Sequence, residues 1–342
     1  MRLSAVRDIQ TYNTLAQEWN NLLACCSASH VPFLRHEYLL AWWNGLGGGE
    51  WKDGELFTVI ARNENNELIG AAPLFYTTNK AGQSALMLLG SIEISDYLDF
   101  VVRIPDLPDY CNSLFDYLAG NQAPAWQVLD LYNIPEDSPT LAALRLAANS
   151  HDWRYSQERL QPCPYIPLPG DWETYLAGID KKQRHEIRRK MRRAEEADPP
   201  VRWYIVREGN NLEEEIEAFL DLMAQDPEKE RFLDDSMRLQ MRSVMQAAFQ
   251  AGWLQLAFLE AGEKKAAAYL NFDYSSHIWV YNSGLDFGYR ELSPGWVLLG
   301  HLLKWANDNH RQAFDFMRGD EDYKYRFGGV NRYIVRATIQ RD

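Results

Sequence analysis

Cysteine is scarce in the sequence, and the spacing of the few cysteines excludes two common uses. The 342 residues include Cys25, Cys26, Cys111 and Cys163. No two of them form a Cys-x-x-Cys pair, and no histidine stands at zinc-finger spacing from them. This pattern disfavours a disulfide framework and a zinc site, so we expect reduced structural thiols and no metal.

Long apolar runs are also lacking. None approaches the roughly 18 residues that a membrane-spanning helix needs, and the opening segment MRLSAVRDIQTYNTLAQEWN lacks the apolar core of a secretory signal. The sequence contains no GxSxG, Walker or HExxH motif, which disfavours hydrolases, kinases and metalloproteases. We therefore expect a cytoplasmic protein of another class.

Negative charge outweighs positive charge, while aromatic residues are plentiful. A formal net charge of −13 at pH 7 disfavours broad, non-specific binding to DNA or anionic lipid, because such partners repel an acidic surface. The 12 Trp, 18 Tyr and 14 Phe argue against wholesale disorder. A chain of 342 residues is long enough for roughly two folded domains.

One order of elements occurs twice along the chain. Two runs rich in β-forming residues flank a turn at residues 63–66, and two more flank residues 261–264, as in β-hairpins. Each hairpin is followed by another strand-like run, a helix and a short buried strand, which places Asp130 and Asp315 at corresponding positions. The pattern predicts an α+β fold with two similar units, each a mixed, mainly antiparallel sheet with flanking helices.

The segment RLQPCPYIPLPGDW, residues 159–172, separates the two copies. Its four prolines predict a break in any helix or central strand, because proline lacks the backbone donor that both need. We therefore expect one domain at residues 1–165 and a second at residues 166–342.

The segment YRELSPGWVLLGHLLKWA, residues 289–306, predicts a helix with an open first turn. Ser293 is a good N-cap, Pro294 suits the first helical position, and Gly295 has no side chain to cover its amide. Leucines at helical spacing then form an apolar stripe that can pack on a sheet. The unpaired amides and the helix dipole suit a phosphate, although a well-started packing helix would have the same residues.

The two halves of the chain differ at this helix start. Arg290 lies just upstream of the helix in the second half, whereas the equivalent helix of the first half begins near Asp106 and Asp109, which would repel an anion. If only one half binds a phosphate-bearing cofactor, we therefore expect it to be the second half. The expected cofactor-binding residues are Arg290, Ser293, Gly295, Trp296 and Lys324.

These features together resemble a known family. The order of elements in the second half is similar to that of the GNAT acyltransferases. It consists of a strand, the SPG helix, the FDF strand ending in glycine, and then YK and FGG. The resemblance is to the FemAB-like branch with two GNAT-type domains, which includes CelD-type polysaccharide-biosynthesis proteins. The segments RHEIRRKMRRAEE (184–196) and SDYLDF (95–100) fit the same branch. Ser293 departs from the commonest GNAT cofactor loop, which has a glycine at that position.

The resemblance implies two tandem GNAT-like domains, the first degenerate for the cofactor and the second holding the acyl-donor site. It implies an enzyme that transfers an acyl group from acetyl-CoA or another acyl-CoA to the amine of a small or sugar-linked substrate. An amino sugar or a precursor of a cell-envelope polysaccharide is the expected acceptor. Two alternatives stay open: an aminoacyl-tRNA-dependent transferase, which alone would bind nucleic acid, and a non-catalytic module that binds a phosphorylated sugar.

Acyl transfer to an amine sets the residue types that the site needs. An oxyanion donor, a group that takes the amine proton and a group that protonates the leaving group are required. Backbone amides of HIWVYNSGLD suit the first role, with Gly284 marking a bulge or a splay. Carboxylates, Asp320 among them, suit the second role and tyrosines suit the third. The expected catalytic residues are Tyr281, Asp286, Glu321 and Tyr323.

A basic segment and several acids complete the candidates. The segment KKQRHEIRRKMRR, residues 181–193, places many positive side chains close together, and their mutual repulsion predicts an anionic partner. One stripe of arginines on this helix could bind a phosphate, and the neighbouring stripe could pair with acids such as residues 213–215. The lack of interleaved aromatics disfavours RNA. Asp315 alternates with two phenylalanines, which indicates either a hydrogen bond to a neighbouring loop or a substrate role. The expected substrate-binding residues are Arg188, Arg189, Arg192, Asp96, Tyr97, Asp315 and Asp320.

Overall fold

The computed structural model describes residues 1–341, which divide into two compact units. Residues 1–161 and the C-terminal segment from residue 332 form unit 1, and residues 162–331 form unit 2. The sequence placed the C-terminal segment in the second domain. Its strand instead hydrogen-bonds antiparallel to a strand at residues 128–135 of unit 1, with Ala337 opposite Leu131.

The elements of unit 1 include the hairpin predicted around residues 63–66 and a helix that begins near Asp106 and Asp109, as expected. In chain order they are β1 (Arg2–Val6), α1 (Ile9–Thr14), α2 (Ala16–Leu23), α3 (His36–Gly49), β2 (Glu55–Leu56), β3 (Thr58–Arg62), β4 (Leu68–Ala72), β5 (Leu74–Thr78), β6 (Ser84–Leu88), β7 (Val101–Val102), α4 (Leu107–Ala119), β8 (Val128–Pro135), α5 (Pro139–Ser150), β9 (Arg154–Pro167, which ends in unit 2) and, at the C-terminus, β15 (Val330–Gln340).

Unit 1 contains two runs of hydrogen-bonded strands. The order β1-β3-β4-β7 is antiparallel throughout, and it includes the hairpin predicted around residues 63–66. The order β2-β5-β6-β8-β15 contains one parallel pair, β6 with β8, in which Met87 lies opposite Asp130. Helix α4 lies between those two strands in the chain, so the segment from β6 to β8 is a β-α-β crossover.

Unit 2 has the same kinds of element in a longer series. In chain order they are α6 (Trp172–Gly178), α7 (Lys181–Glu195), β10 (Val201–Ile205), α8 (Leu212–Met223), α9 (Pro227–Phe232), α10 (Asp235–Gln250), β11 (Leu254–Ala261), β12 (Lys264–Tyr274), β13 (His277–Leu285), α11 (Pro294–Asp308), β14 (Ala313–Asp315) and α12 (Asp322–Arg326), with a 3₁₀ segment at Phe287–Leu292.

The sheet of unit 2 repeats the plan of unit 1. Its order is β10-β11-β12-β13-β14, and the last residues of β9 pair with β14. All neighbours are antiparallel except β13 and β14, which are joined by α11 and place Trp279 opposite Asp315. Asp130 and Asp315 therefore hold equivalent positions, and the predicted α+β fold with two similar units, each with a mixed, mainly antiparallel sheet, is confirmed.

The proline-rich segment corrects one expectation. It does not end the strand, because β9 continues to Pro167. The carbonyl oxygens of Pro162 and Pro164 accept hydrogen bonds from the amides of Gly319 (3.0 Å) and Phe316 (2.9 Å), respectively. Proline lacks the N–H donor but keeps this carbonyl acceptor, so both prolines can pair with the neighbouring segment. The break that these prolines were expected to cause is therefore absent from β9, which runs on to Pro167.

Helix α11 packs on the sheet of unit 2 through the apolar stripe predicted from its sequence. Leu298, Leu302 and Leu303 are fully buried there. Helix α7 contributes Ile187 and Met191 to the same core. At about 25 cal/mol per Å² of buried apolar surface, each such leucine contributes roughly 1.5 to 3 kcal/mol, so α11 is firmly held beside β13.

Within residues 1–341, no helix is both long enough and apolar enough to cross a lipid bilayer. The same residues contain no cluster of three or more His, Cys, Asp or Glu side chains placed to hold a metal ion.

Candidate functional site

Strands β13 and β14 share only a short stretch of parallel pairing. Residues 277–279 pair with residues 313–315, where β14 ends. Strand β13 continues to Leu285 and keeps its other neighbour, β12, along that length. The second half of β13 therefore has one edge that β14 does not cover, and an opening lies at this edge of the sheet.

A β-bulge marks the start of this opening. Asn271 pairs with Val280 and Leu270 pairs with Asn282, so Tyr281 is the extra residue on β13. A bulge or a splay was expected near Gly284. Gly284 pairs regularly with Ala268, so the bulge lies elsewhere, whereas β13 does part from β14 after residue 279. The glycine is required for a different reason: a Cβ atom at this position would lie 2.5 Å from the backbone nitrogen of Met223 in α8.

A cavity of about 330 Å³ occupies the opening, between β13 and the start of α11. Apolar side chains line most of it, including Leu285, Leu299 and Phe327. It is hereafter called the groove. Six predicted site residues line the groove: Asp286, Arg290, Ser293, Gly295, Trp296 and Tyr323.

The first turn of α11 faces the groove without a side-chain cap. Ser293 holds the N-cap position but adopts a left-handed conformation (φ 52°, ψ 51°), and its hydroxyl accepts no capping bond from the helix. The prediction that Ser293 caps the helix is therefore wrong in its geometry. Gly295 and Trp296 keep their amides at the open end, because the first intrahelical bond goes from Val297 to the Ser293 carbonyl.

Two arginines add positive charge near this helix start. Arg290 lines the groove, and its Nε donates to the Phe287 carbonyl at 3.3 Å. Arg193, from α7, approaches the Ser293 hydroxyl through Nη2 at 3.4 Å, and its buried Nε has no hydrogen-bond partner within residues 1–341. Open amides and two guanidinium groups are features that suit an anion.

Gly295 has a packing role that the sequence did not indicate. A Cβ atom on Gly295 would lie 2.7 Å from Cδ2 of Leu285 on β13. The glycine therefore lets the helix start approach the strand closely, in addition to leaving its amide open.

Two tyrosines and one carboxylate in the groove can exchange protons or hydrogen bonds. Burial raises the pKa of Tyr323, and the nearby charge of Glu321 raises it further, so the phenol stays protonated. Burial also raises the pKa of Tyr269. Asp286 accepts a hydrogen bond from the Gly288 amide at 2.8 Å through Oδ1. Sequence reasoning missed Tyr269, which lies on β12 opposite Ser283.

Lys229 is a second residue that sequence reasoning missed. Its Nζ donates to the Ser283 carbonyl (2.6 Å) and to Asn282 Oδ1 (2.9 Å), beside the groove. Burial lowers the pKa of this ammonium group, while the charges of Asp226 and Glu321 oppose the shift. Only the fold brings α9 next to β13, so no local sequence signal could have identified Lys229.

Other expected residues of unit 2 lie away from the groove lining. Tyr281 packs its ring against Phe272 at a centroid distance of 5.2 Å. Glu321 pairs with Lys324 at 2.8 Å, and the buried Lys324 ammonium also donates to the carbonyls of Arg318 (2.9 Å) and Gly319 (3.2 Å). Lys324 thus organises its own loop and does not present its charge to a cofactor.

The remaining expected acids also have structural partners. Asp320 accepts a hydrogen bond from the Tyr325 hydroxyl. Asp315 is buried and accepts from the Met317 amide at 2.7 Å, which is the loop-bonding alternative. In unit 1, Asp96 and Tyr97 are each 1% exposed, and Tyr97 has a left-handed backbone (φ 55°). All four side chains lie outside the groove lining.

The basic helix α7 distributes its arginines among different partners. Arg188 pairs with Glu173 on α6, and Arg189 pairs with Glu186 at 2.8 Å on the same helix. The predicted pairing with residues 213–215 is wrong, because those acids bond elsewhere; Glu215, for example, pairs with Lys265 at 2.5 Å. Arg192 lines a second cavity, between α7 and the C-terminal half of α11.

A family comparison covers the part of the chain that carries the groove. Residues 181–325 match the family model described as "Acetyltransferase (GNAT) domain". The resemblance inferred from the SPG helix and the FDF strand is therefore confirmed for this segment. The sequence matches none of the curated proteins.

Solved structures share the fold at low sequence identity. FemX is 11% identical with a TM-score of 0.68, and the alignment covers 98% of this chain and 97% of FemX. L-PGS from Bacillus licheniformis is 11% identical with a TM-score of 0.56, covering 97% and 91%. The C-terminal domain (DUF2156) of a protein described as a putative lysylphosphatidylglycerol synthetase, from Agrobacterium fabrum, is 10% identical with a TM-score of 0.59, covering 96% and 92%. The likeness to FemX over nearly the whole chain supports the FemAB-like two-unit fold.

Proposed function

We propose that unit 2 is an N-acyltransferase that uses an acyl-CoA as its donor, with acetyl-CoA as the first candidate. The premise is that residues 181–325 match the acetyltransferase (GNAT) domain family. One observation carries the proposal: the uncovered edge of β13 meets the uncapped, arginine-flanked start of α11 in a single groove. A donor that combines a slender chain with phosphate groups fits both parts.

The two ends of the groove suit the two parts of such a donor. The amides of Gly295 and Trp296, with Arg290 and Arg193, would hold phosphate oxygens. The apolar wall and the free edge of β13 would hold the chain that leads to the thioester. When bound, acyl-CoA supplies an activated carbonyl carbon for attack by an amine.

Groove residues offer the proton transfers that the reaction needs. Asp286 is a half-buried carboxylate and would accept the amine proton, directly or through water. Tyr323 stays protonated because its pKa is raised, so it would donate a hydrogen bond to the departing thiolate, and the proton that Asp286 took from the amine would then pass to that thiolate. Lys229 would lower the pKa of an acceptor ammonium close to it, which favours the neutral amine that can attack.

The acceptor is proposed on chemical grounds and by family resemblance. Its nucleophile is an amine, and an amino sugar or a cell-envelope polysaccharide precursor is the class that the FemAB-like, CelD-type resemblance implies. Arg188, Arg189 and Arg192 are three of the residues proposed to bind it, but they do not line the groove, so they would contact parts of a larger acceptor outside it.

Donor binding can be tested by thermal shift with acetyl-CoA and free CoA. At a free concentration about a hundred times the Kd, binding adds about 2.7 kcal/mol and raises the Tm. We expect Arg290→Glu to weaken this response, since it replaces a groove cation with an anion. Arg231→Glu is the matched control, because Arg231 is also exposed and donates Nε to a carbonyl, that of Pro227 at 3.1 Å. An unchanged Tm for the wild type with both compounds would overturn the proposal.

The competing proposal is transfer from an aminoacyl-tRNA, which the likeness in fold to FemX and L-PGS brings into consideration. A tRNA gel shift that disappears in an Arg188→Glu, Arg192→Glu variant, together with no response to CoA, would favour it. Binding of a phosphorylated sugar without thiol release from any donor would instead favour the non-catalytic module.

A further inference from the structure

A second cavity of about 460 Å³ lies in unit 2, between α6, α7, β10 and the C-terminal half of α11. His301 and Trp305 of α11 line it, whereas Gly295 and Leu299 line the groove. Residues 299 and 301 are separated by about 200° around a helix with 3.6 residues per turn. The two cavities therefore lie on different faces of α11.

Three tryptophans line the second cavity. They are Trp172, Trp203 and Trp305, one each from α6, β10 and α11. Trp203 is stacked on the His301 ring, with centroids 5.4 Å apart and an interplanar angle of 16°. The indole N–H groups of all three tryptophans donate to no protein acceptor within residues 1–341. Flat apolar faces and free donors thus meet around one space.

The charged side chains of this cavity balance each other. Its cations are Arg188, Arg192 and Lys304, and its acids are Glu173, Glu195 and Asp308. Arg188 pairs with Glu173, and Lys304 pairs with Asp308 at 2.5 Å. A phosphate-rich ligand would meet as many carboxylates as cations, so the lining does not favour a polyanion.

His301 adds a neutral group with open hydrogen-bonding capacity. Burial lowers the pKa of this imidazole to about 4, with a smaller effect from Lys304, so the ring is uncharged at pH 7. A neutral imidazole carries one donor and one acceptor, and neither is used within residues 1–341. A hydroxyl group can satisfy both.

We propose that this cavity is a binding site for a neutral saccharide. A sugar ring has apolar C–H faces that fit tryptophan rings, and hydroxyl groups that pair with carboxylates, guanidinium groups and imidazole. The inference does not rest on the acyl-donor groove, which lies on another face of α11. Arg188 and Arg192, which were expected to bind substrate, line this second cavity and would contact the saccharide there.

The test is a titration followed by tryptophan fluorescence, with cellotetraose and tetra-N-acetylchitotetraose as probes up to about 10 mM. At least one probe should saturate the signal. Trp305→Leu removes one aromatic platform and should weaken binding about tenfold, whereas Trp305→Phe keeps a ring and should weaken it less. Arg192→Ala, at an exposed position without an ion pair among the described residues, should also weaken binding while leaving the far-UV circular dichroism unchanged.

Three outcomes would overturn the inference. The first is a folded wild type whose fluorescence responds to neither saccharide. The second is binding that Trp305→Leu and Arg192→Ala leave unchanged. The third is tighter binding of AMP than of both saccharides, which would assign the cavity to nucleotides. Acetyl-CoA binding is measured separately by thermal shift, so failure here would not be confused with failure of the proposed donor site.

Discussion

Asp99 shows how one buried residue sets a pH dependence. The carboxyl group is 1% exposed; it accepts the Ser138 hydroxyl at 2.5 Å and the Phe100 amide at 2.7 Å. Burial raises the pKa of Asp99 to about 6 from an ordinary value of 3.8, although these hydrogen bonds oppose the shift. The folded protein therefore holds this proton more tightly than the unfolded chain does.

Asp99→Asn should remove one pH-dependent loss of stability. In the wild type, the contribution of Asp99 is fully present below about pH 4 and is lost as the pH rises through about 6, which costs about 1 to 2 kcal/mol between pH 5 and pH 8. Urea unfolding of both proteins at the two pH values checks this. The variant should lose less stability over the interval, and an identical loss in both proteins would contradict the assigned shift.

The site residues differ in how far the sequence could predict them. Gly295 and Arg290 were identified because a helix start has local signals that short-range physics explains. Tyr269 and Lys229 were missed because each meets the groove through pairing or packing between segments far apart in the chain. The sequence could not show that the Lys324 ammonium donates to carbonyl oxygens of its own loop, because that contact depends on how the loop folds.

At the scale of elements, the position of β13 against α8 depends on one glycine. A Cβ atom on Gly284 would lie 2.5 Å from the backbone nitrogen of Met223 and 2.6 Å from the carbonyl carbon of Leu222, both in α8. Because this contact is with backbone atoms, a side chain cannot move aside to admit a methyl group. The contact fixes the strand edge that borders the groove.

Gly284→Ala should therefore destabilise unit 2 by about 1 to 3 kcal/mol through overpacking. Gly209→Ala is the control, since a Cβ atom there would meet nothing within 4 Å. Urea unfolding monitored by circular dichroism compares the two variants with the wild type. A Gly284→Ala protein as stable as the Gly209→Ala protein would show that α8 does not pack tightly on β13.

Elements with regular alternation or periodicity were predicted well, and irregular ones were not. Both hairpins and helices α4, α7 and α11 follow from patterns that repeat within a few residues. Strand β9 was missed because its sequence does not show which backbone groups its neighbour uses. In the structure, Pro162 and Pro164 only accept hydrogen bonds through their carbonyl oxygens, so their missing N–H groups do no harm. The bulge at Tyr281 was misplaced because bulges depend on the register of two strands.

At the scale of the whole molecule, the two units share one order of strands and helices but differ at the start of one helix. This is the helix that connects the two parallel strands, α4 in unit 1 and α11 in unit 2. In unit 1, Asp106 stands at the N-cap of α4, pairs with Arg103 at 2.6 Å, and precedes Asp109 in the first turn. In unit 2, α11 begins with open amides beside Arg290. The repeat was visible in the sequence, whereas the return of β15 to unit 1 was not, because long-range strand pairing leaves no local signal.

Isothermal titration with acetyl-CoA tests the central claim most directly, that unit 2 alone holds the acyl donor. Arg290→Glu and Arg103→Glu reverse equivalent charges ahead of α11 and α4, and breaking the exposed Arg103–Asp106 pair costs little stability. We predict one site per chain, weakened about tenfold or more by Arg290→Glu and nearly unchanged by Arg103→Glu. Two sites per chain, or a loss of affinity caused by Arg103→Glu and not by Arg290→Glu, would contradict the account.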